Sequence, residues 1–195
     1  NPQMGLIPIG MNPITKLWEF YHLRSAWDPA GDTSPETLKI PTHQPDGSIA
    51  MTPEAGIVFV LIPGGSFWMG AQSVDENARN YDKFARENES PPHIVKLAPY
   101  FLARHELTHA QYARLTGEQN LRNRQPGSTM NGYSEEIDWT HPVESVTWEE
   151  ANRAMILHGL ALPTEAQWER GCRAGTATPW FSGLRPESLQ RYADI

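Results

Sequence analysis

The sequence predicts a loop-rich α+β domain with short strands and about three short helices. Three observations carry this expectation. The 195 residues include 17 Pro and 15 Gly, which demand much irregular backbone. Seven Trp and a mean hydropathy of -0.53 point to aromatic anchors, not to long apolar helices. β-Branched runs lie in the first half of the chain, and helix-start signals lie in the second. A hydrophobic fraction of 39% suits one globular domain with a single core.

Residues 1–56 are punctuated by Pro2, Pro8, Pro13, Pro29, Pro35, Pro41 and Pro45, each removing a backbone donor and fixing φ. They read as a Pro-rich N-terminal extension that packs on the domain formed by residues 57–195. Within the extension, Leu17-Trp18-Glu19-Phe20-Tyr21-His22-Leu23 alternates well enough for one short strand, and Pro45-Asp46-Gly47 marks a turn. Ile57-Val58-Phe59-Val60-Leu61-Ile62 is a β-branched run stopped by Pro63-Gly64-Gly65. Ser66-Phe67-Trp68-Met69-Gly70 then resumes an extended pattern, so the two runs predict a hairpin entering the core sheet. Residues 72–92, with Asp75, Glu76, Asp82, Glu87 and Glu89, read as a long surface loop. His93-Ile94-Val95-Lys96-Leu97 and Tyr100-Phe101-Leu102-Ala103 add two strands.

The helices are placed by their starts. Thr108 with Gln111, Thr147 with Glu150 and Thr164 with Gln167 each form the pattern in which a hydroxyl and a side chain three residues on satisfy orphan amides. The helices are predicted to end before Gly117, Gly159 and Gly175, where a left-handed residue suits the C-terminus. A loop rich in Asn, Arg and Gly spans residues 118–146.

A formal net charge of -7 and a pI near 5.5 exclude a basic surface for nucleic acid. No apolar run approaches the roughly 20 residues that span a bilayer, so no membrane partner is expected and the chain reads as soluble. The lone Cys172 excludes an intrachain disulfide, which leaves the compartment open with the cytoplasm slightly favoured.

Four motifs occur in a telling order. They are Ile62-Pro63-Gly64-Gly65-Ser66-Phe67-Trp68-Met69-Gly70, then Glu106-Leu107-Thr108 with Gln111-Tyr112, then His141-Pro142-Val143-Glu144-Ser145-Val146-Thr147-Trp148-Glu149-Glu150-Ala151, and finally Leu162-Pro163-Thr164-Glu165-Ala166-Gln167-Trp168-Glu169. In this order they resemble the formylglycine-generating enzyme (sulfatase-modifying factor) family, over roughly residues 57–195. The resemblance implies a C-type-lectin-like mixed fold, common in bacterial multidomain proteins, with Trp148 and Trp168 as core anchors that staple helix starts to the sheet. Two stretches depart from the family: Ala161 replaces a usual Arg, and residues 152–158 lack the usual aromatic and Cys.

Relative to that family the sequence is the N-terminal half of a domain. It stops before the family's calcium-site segments, its Gly-Asn-Val-Trp-Glu-Trp signature, the Cys pair that holds copper, and the closing Gly-Phe-Arg. Copper(I) is a soft ion held there by two thiolates, and Cys172 alone cannot supply them. Copper is expected only if a C-terminal half contributes two Cys, and Cys172 itself is expected to be a buried structural thiol. Asp194 and the carbonyl of Ile195 match positions where relatives begin a calcium site; the competing reading is a plain terminal Asp, since calcium takes six to eight oxygens.

His105-Glu106-Leu107-Thr108-His109 fits the His-Glu-x-x-His zinc pattern, which needs both His on one helical face. The capping box at Thr108 starts the helix too late for that and leaves His105 in extended chain, so a zinc hydrolase is the least favoured reading. His93 and His141 read as strand-end residues, and Glu165 as a first-turn carboxylate that complements the helix dipole. The iron ligand set of sulfoxide synthases is not visible in residues 1–56. No catalytic or cofactor-binding residue is assigned within the chain. The expected role is non-catalytic, in binding or scaffolding, with the domain completed by a second polypeptide or by a missing C-terminal half. A protein or peptide ligand could be met by the loops at 72–92 and 118–146. The alternative is part of a copper-dependent oxidase that converts a substrate Cys to formylglycine.

Overall fold

The computed structural model describes residues 5–28, 37–118 and 138–191. The chain divides into two compact units. The first comprises Asn1–Leu61 and Phe101–Leu162, and the second Ile62–Tyr100 and Pro163–Ile195.

The first unit is built on a four-stranded sheet of β1 (Leu6–Met11), β2 (Trp18–His22), β3 (Val58–Ile62) and β6 (Tyr100–Ala103), in the order β1-β2-β3-β6. β2 lies inside the sheet. It runs antiparallel to β1, with Leu6 opposite His22, and antiparallel to β3, with Phe20 opposite Phe59. Residues read from the sequence as a wrapping extension therefore supply two strands. β1 was not anticipated, because Pro8 and Gly10 interrupt its pattern. On an edge strand both are tolerated, and the register slips between them as in a β-bulge.

Three short helices complete this unit: α1 (Leu23–Ala26), α2 (His109–Thr116) and α3 (Trp148–Leu157). The capping boxes at Thr108 and Thr147 both form, and Gly117 closes α2 at φ 73°. One apolar cluster joins Ile57 of the sheet side to Tyr112 and Leu115 of α2 and to Ala154 and Met155 of α3. A second gathers Tyr21, Ala26 and Val58 with Leu23, Leu38 and Ile49. Two clusters thus stand where one core was expected. Arg114 of α2 donates to the carbonyls of Ser25 (2.8 Å) in the last turn of α1 and of Ala55 (2.7 Å) and Pro53 in the loop before β3, oxygens that no strand pairs.

The second unit holds a two-stranded ribbon, β4 (Gly65–Met69) with β5 (His93–Leu97), and the helix α4 (Glu165–Arg173). Gly65 lies opposite Leu97 and Met69 opposite His93. The predicted hairpin of β3 with β4 does not form. Pro63-Gly64 bends the chain, as the turn signal indicated, but Gly64 sits so close to Pro99 and the Leu97 carbonyl that a Cβ would fall 2.8 Å from the Pro99 ring. That close approach delivers β4 to β5, and β3 to the other sheet. The 72–92 loop forms as expected and is mostly exposed, apart from Asn80, which is buried and donates to the carbonyls of Trp68 and Gly70. At the end of α4, Ala174 itself is left-handed at φ 48°, one residue before the predicted Gly175.

Candidate functional site

The four motifs are brought together in pairs, one pair within each unit. In the second unit, α4 projects three side chains onto β4 and its preceding turn. Arg170 donates to the carbonyls of Pro63 (2.8 Å), Gly64 (3.1 Å) and Gly65 (3.0 Å), and its guanidinium lies 5.8 Å from the centre of the Phe67 ring. Glu169 accepts from the Gly70 amide at 2.8 Å and from Arg173 at 2.7 Å, and Arg173 in turn donates to the Gly70 carbonyl at 3.0 Å. These contacts, with Asn80, do for the outer edge of β4 what a further strand would do. Tyr100 adds a bond from its hydroxyl to the Gln167 carbonyl at 2.7 Å. Burial pushes that phenol up, with Arg170 opposing. The Pro-Gly-Gly and Gln-Trp-Glu-Arg segments are therefore a single interlocked structure. Glycine is required at Gly70, which has φ 89° and whose added Cβ would lie 2.4 Å from the Glu89 carbonyl.

In the first unit, residues 138–143 lie across the start of α2. The His109 amide donates to the His141 carbonyl at 3.0 Å, Ala110 to Trp139 at 3.0 Å, and Val143 to Leu107 at 2.7 Å, with a bridge between Thr108 and Pro142. The Glu-Leu-Thr and His-Pro-Val motifs are thus also locked to each other. On β2 this unit also carries a deeply buried carboxylate. Glu19, 2% exposed, accepts from Arg104 at 2.8 and 3.1 Å and from Asn12 at 3.0 Å, and its other oxygen lies 3.0 Å from His43 Nε2. Sequence reasoning missed this cluster, because its members are 7 to 85 residues apart and no local pattern unites them.

The predicted site residues fare differently. His105 is exposed and precedes the Thr108 cap, whereas His109 opens α2 and is 1% exposed, so the two rings of the zinc-like pattern do not share a helical face. No group of three His, Cys, Asp or Glu able to hold a metal occurs among the described residues. Asp194 and Ile195 lie outside the described residues.

Cys172 corrects an expectation: it is exposed, not buried. It shares one stripe of α4 with Glu165 and Trp168, which turn away from the β4 contacts made by Glu169, Arg170 and Arg173. For the same reason Trp168, 60% exposed, is no core anchor. Nor is Trp148, at 65%; Ile156 and Leu157 at the far end of α3 are exposed as well. A single exposed thiol does not fit the two-thiolate copper centre implied by the resemblance.

Comparison with known proteins follows the same lines. The Sulfatase-modifying factor enzyme 1-like domain matches residues 49–194. Similar proteins include a formylglycine-generating enzyme from Thermomonospora curvata, 27% identical over 173 residues, covering 68% of this chain and 55% of the relative. A hercynine oxygenase from Mycolicibacterium smegmatis is 27% identical over 160 residues, covering 67% of this chain and 36% of the relative. The mouse formylglycine-generating enzyme is 43% identical over 58 residues, which are 28% of this chain and 15% of the relative. The chain thus spans about half, or less, of the length of these curated relatives. With a family match across most of its residues and all four motifs interlocked, the chain belongs to the sulfatase-modifying factor enzyme 1-like family.

Proposed function

We propose that this chain is the scaffold portion of a domain of this family, non-catalytic by itself and completed by further polypeptide that covers the exposed apolar side chains of α3 in the first unit and, separately, those of α4 in the second. The observation that carries this is the exposure of Trp148, Ile156 and Leu157 on α3, and of Trp168 and Cys172 on α4. Large apolar side chains on helices that already carry family motifs favour a covering surface, since a self-contained domain turns such residues inward. The partner is polypeptide with a complementary apolar face. Calcium belongs to the same proposal through Asp194 and the Ile195 carbonyl, hard oxygen donors that the completing segment would have to supplement.

Cys172 provides the test. In the chain alone a maleimide labels it rapidly, and the chain binds a hydrophobic dye. When the completing polypeptide is present, labelling slows at least tenfold and dye binding falls. Equal labelling in both states, or cooperative melting of the isolated chain without dye binding, refutes the proposal.

A second reading is favoured by the naming of the Thermomonospora and mouse relatives. Once completed, the domain would generate formylglycine, with the thiols for copper supplied by the added polypeptide. Assay of a substrate peptide containing Cys, with the completed protein, decides between scaffold and oxidase.

A further inference from the structure

The start of α2 buries a titratable ring with nothing to bond it. His109, 1% exposed, has no hydrogen-bond partner for Nδ1 or Nε2 among the described residues. A neutral imidazole carries one donor and one acceptor; a protonated ring carries two donors and a charge, and a buried charge needs paired acceptors. The ring also occupies the first position of a helix, where the positive end of the backbone dipole disfavours a cation.

Residues 138–143 lie against the backbone at this end of α2, held by the amides of His109, Ala110 and Val143 described above. Three titratable groups of the same stretch act on it: Glu144 and Asp138, which favour its charge, and His141, which opposes it. Burial outweighs them, and the ring is held below the ordinary histidine range. Just beyond it Ser145, which leads into the Thr147 cap of α3, is left-handed at φ 60°, an uncommon conformation for a residue with a Cβ.

We propose that His109 is an acid-sensitive latch: residues 138–143 close over the neutral ring and lift from the start of α2 when the ring takes up a proton. Opening brings the charged ring within reach of water, which supplies the bonds it lacks when closed. It also extends through Ser145 to the first turn of α3. The latch is a switch in the scaffold, and it stands whether or not the completed domain is an enzyme.

Amide hydrogen exchange of the full-length protein, corrected for the intrinsic rate at each pH, tests it. Between pH 7 and pH 5, opening at His109, Ala110 and Val143 rises at least tenfold, and that rise is absent in His109→Gln and His109→Phe. Unchanged protection at pH 5, or the same rise in both variants, overturns the latch. Should the variants fail to fold, the ring protons of His109 in the parent are followed by NMR. Titration in step with the opening supports the proposal, and titration at or above the ordinary histidine value with those amides still protected overturns it.

Discussion

Replacing Arg104 by Met should unfasten the first unit, whereas replacing its partner Glu19 by Gln should only loosen it. The asymmetry follows from burial. The Glu19 carboxylate is 2% exposed, and without Arg104 it keeps Asn12 and His43 but loses its cationic partner. Stranding a buried charge costs about 3–5 kcal/mol. Arg104 is 21% exposed, so after Glu19→Gln it can still turn to water, and the loss is about 1–3 kcal/mol, the range for a buried hydrogen bond left unmade. The double variant Glu19→Met with Arg104→Met leaves no buried carboxylate, although Asn12 and His43 each lose a partner, and should recover about 2 kcal/mol relative to Arg104→Met alone. Opening free energies from amide exchange in β2 and β3 of the full-length protein measure all three variants. With domain stabilities near 5–15 kcal/mol, the Arg104 variant should be visibly frayed at neutral pH. A loss below about 1 kcal/mol for Arg104→Met, or a double variant no more stable than Arg104→Met alone, would refute the reasoning.

Two further outcomes are expected. Arg170→Lys should weaken the turn before β4 by about 2 kcal/mol, because an ammonium cannot span three carbonyls and stack on Phe67 as the guanidinium fork does; proteolysis near Pro63 and exchange in β4 report it. His22 is held down to about 4, by burial first and then by Arg24 and His158. Its folded-state pKa lies below the unfolded value near 6.5, so its contribution is complete above that pH and is lost as pH falls toward 4. The full shift corresponds to about 3 kcal/mol. His22→Gln should therefore flatten the acid limb of β2 stability by about that amount, and an unchanged limb would count against it.

The sequence made some of this fold legible and hid the rest for identifiable reasons. The three capping boxes were readable because all their partners lie within three residues, and the geometry admits few alternatives. The pairing of β3 and β4 was misread because a turn signal says where the chain bends but not which strand it meets afterwards. β3 took β2 and β6, and β4 took β5. The exposure of Trp148, Trp168 and Cys172 was likewise hidden, since residue type indicates that burial is favourable but not which surface provides it. The Glu19, Arg104, His43 and Asn12 cluster is assembled only by tertiary folding, from β2, the residues just after β6 and β1, and a loop distant in sequence. The family motifs could be recognised as a set, and the structure gives the reason for their order: each holds another in place.

The closure of β4 by α4 also sets a schedule for synthesis. Arg170, Glu169 and Arg173 reach back 99 to 107 residues to the carbonyls and amide they satisfy. At about 5–20 residues per second, a ribosome leaves that strand edge open for roughly 5–20 s after making it. An uncovered edge is a template for pairing with a neighbouring chain. Slow translation or crowded polysomes should therefore injure the second unit first, and chaperones that shield nascent strands should act between the emergence of Gly65 and that of Arg173.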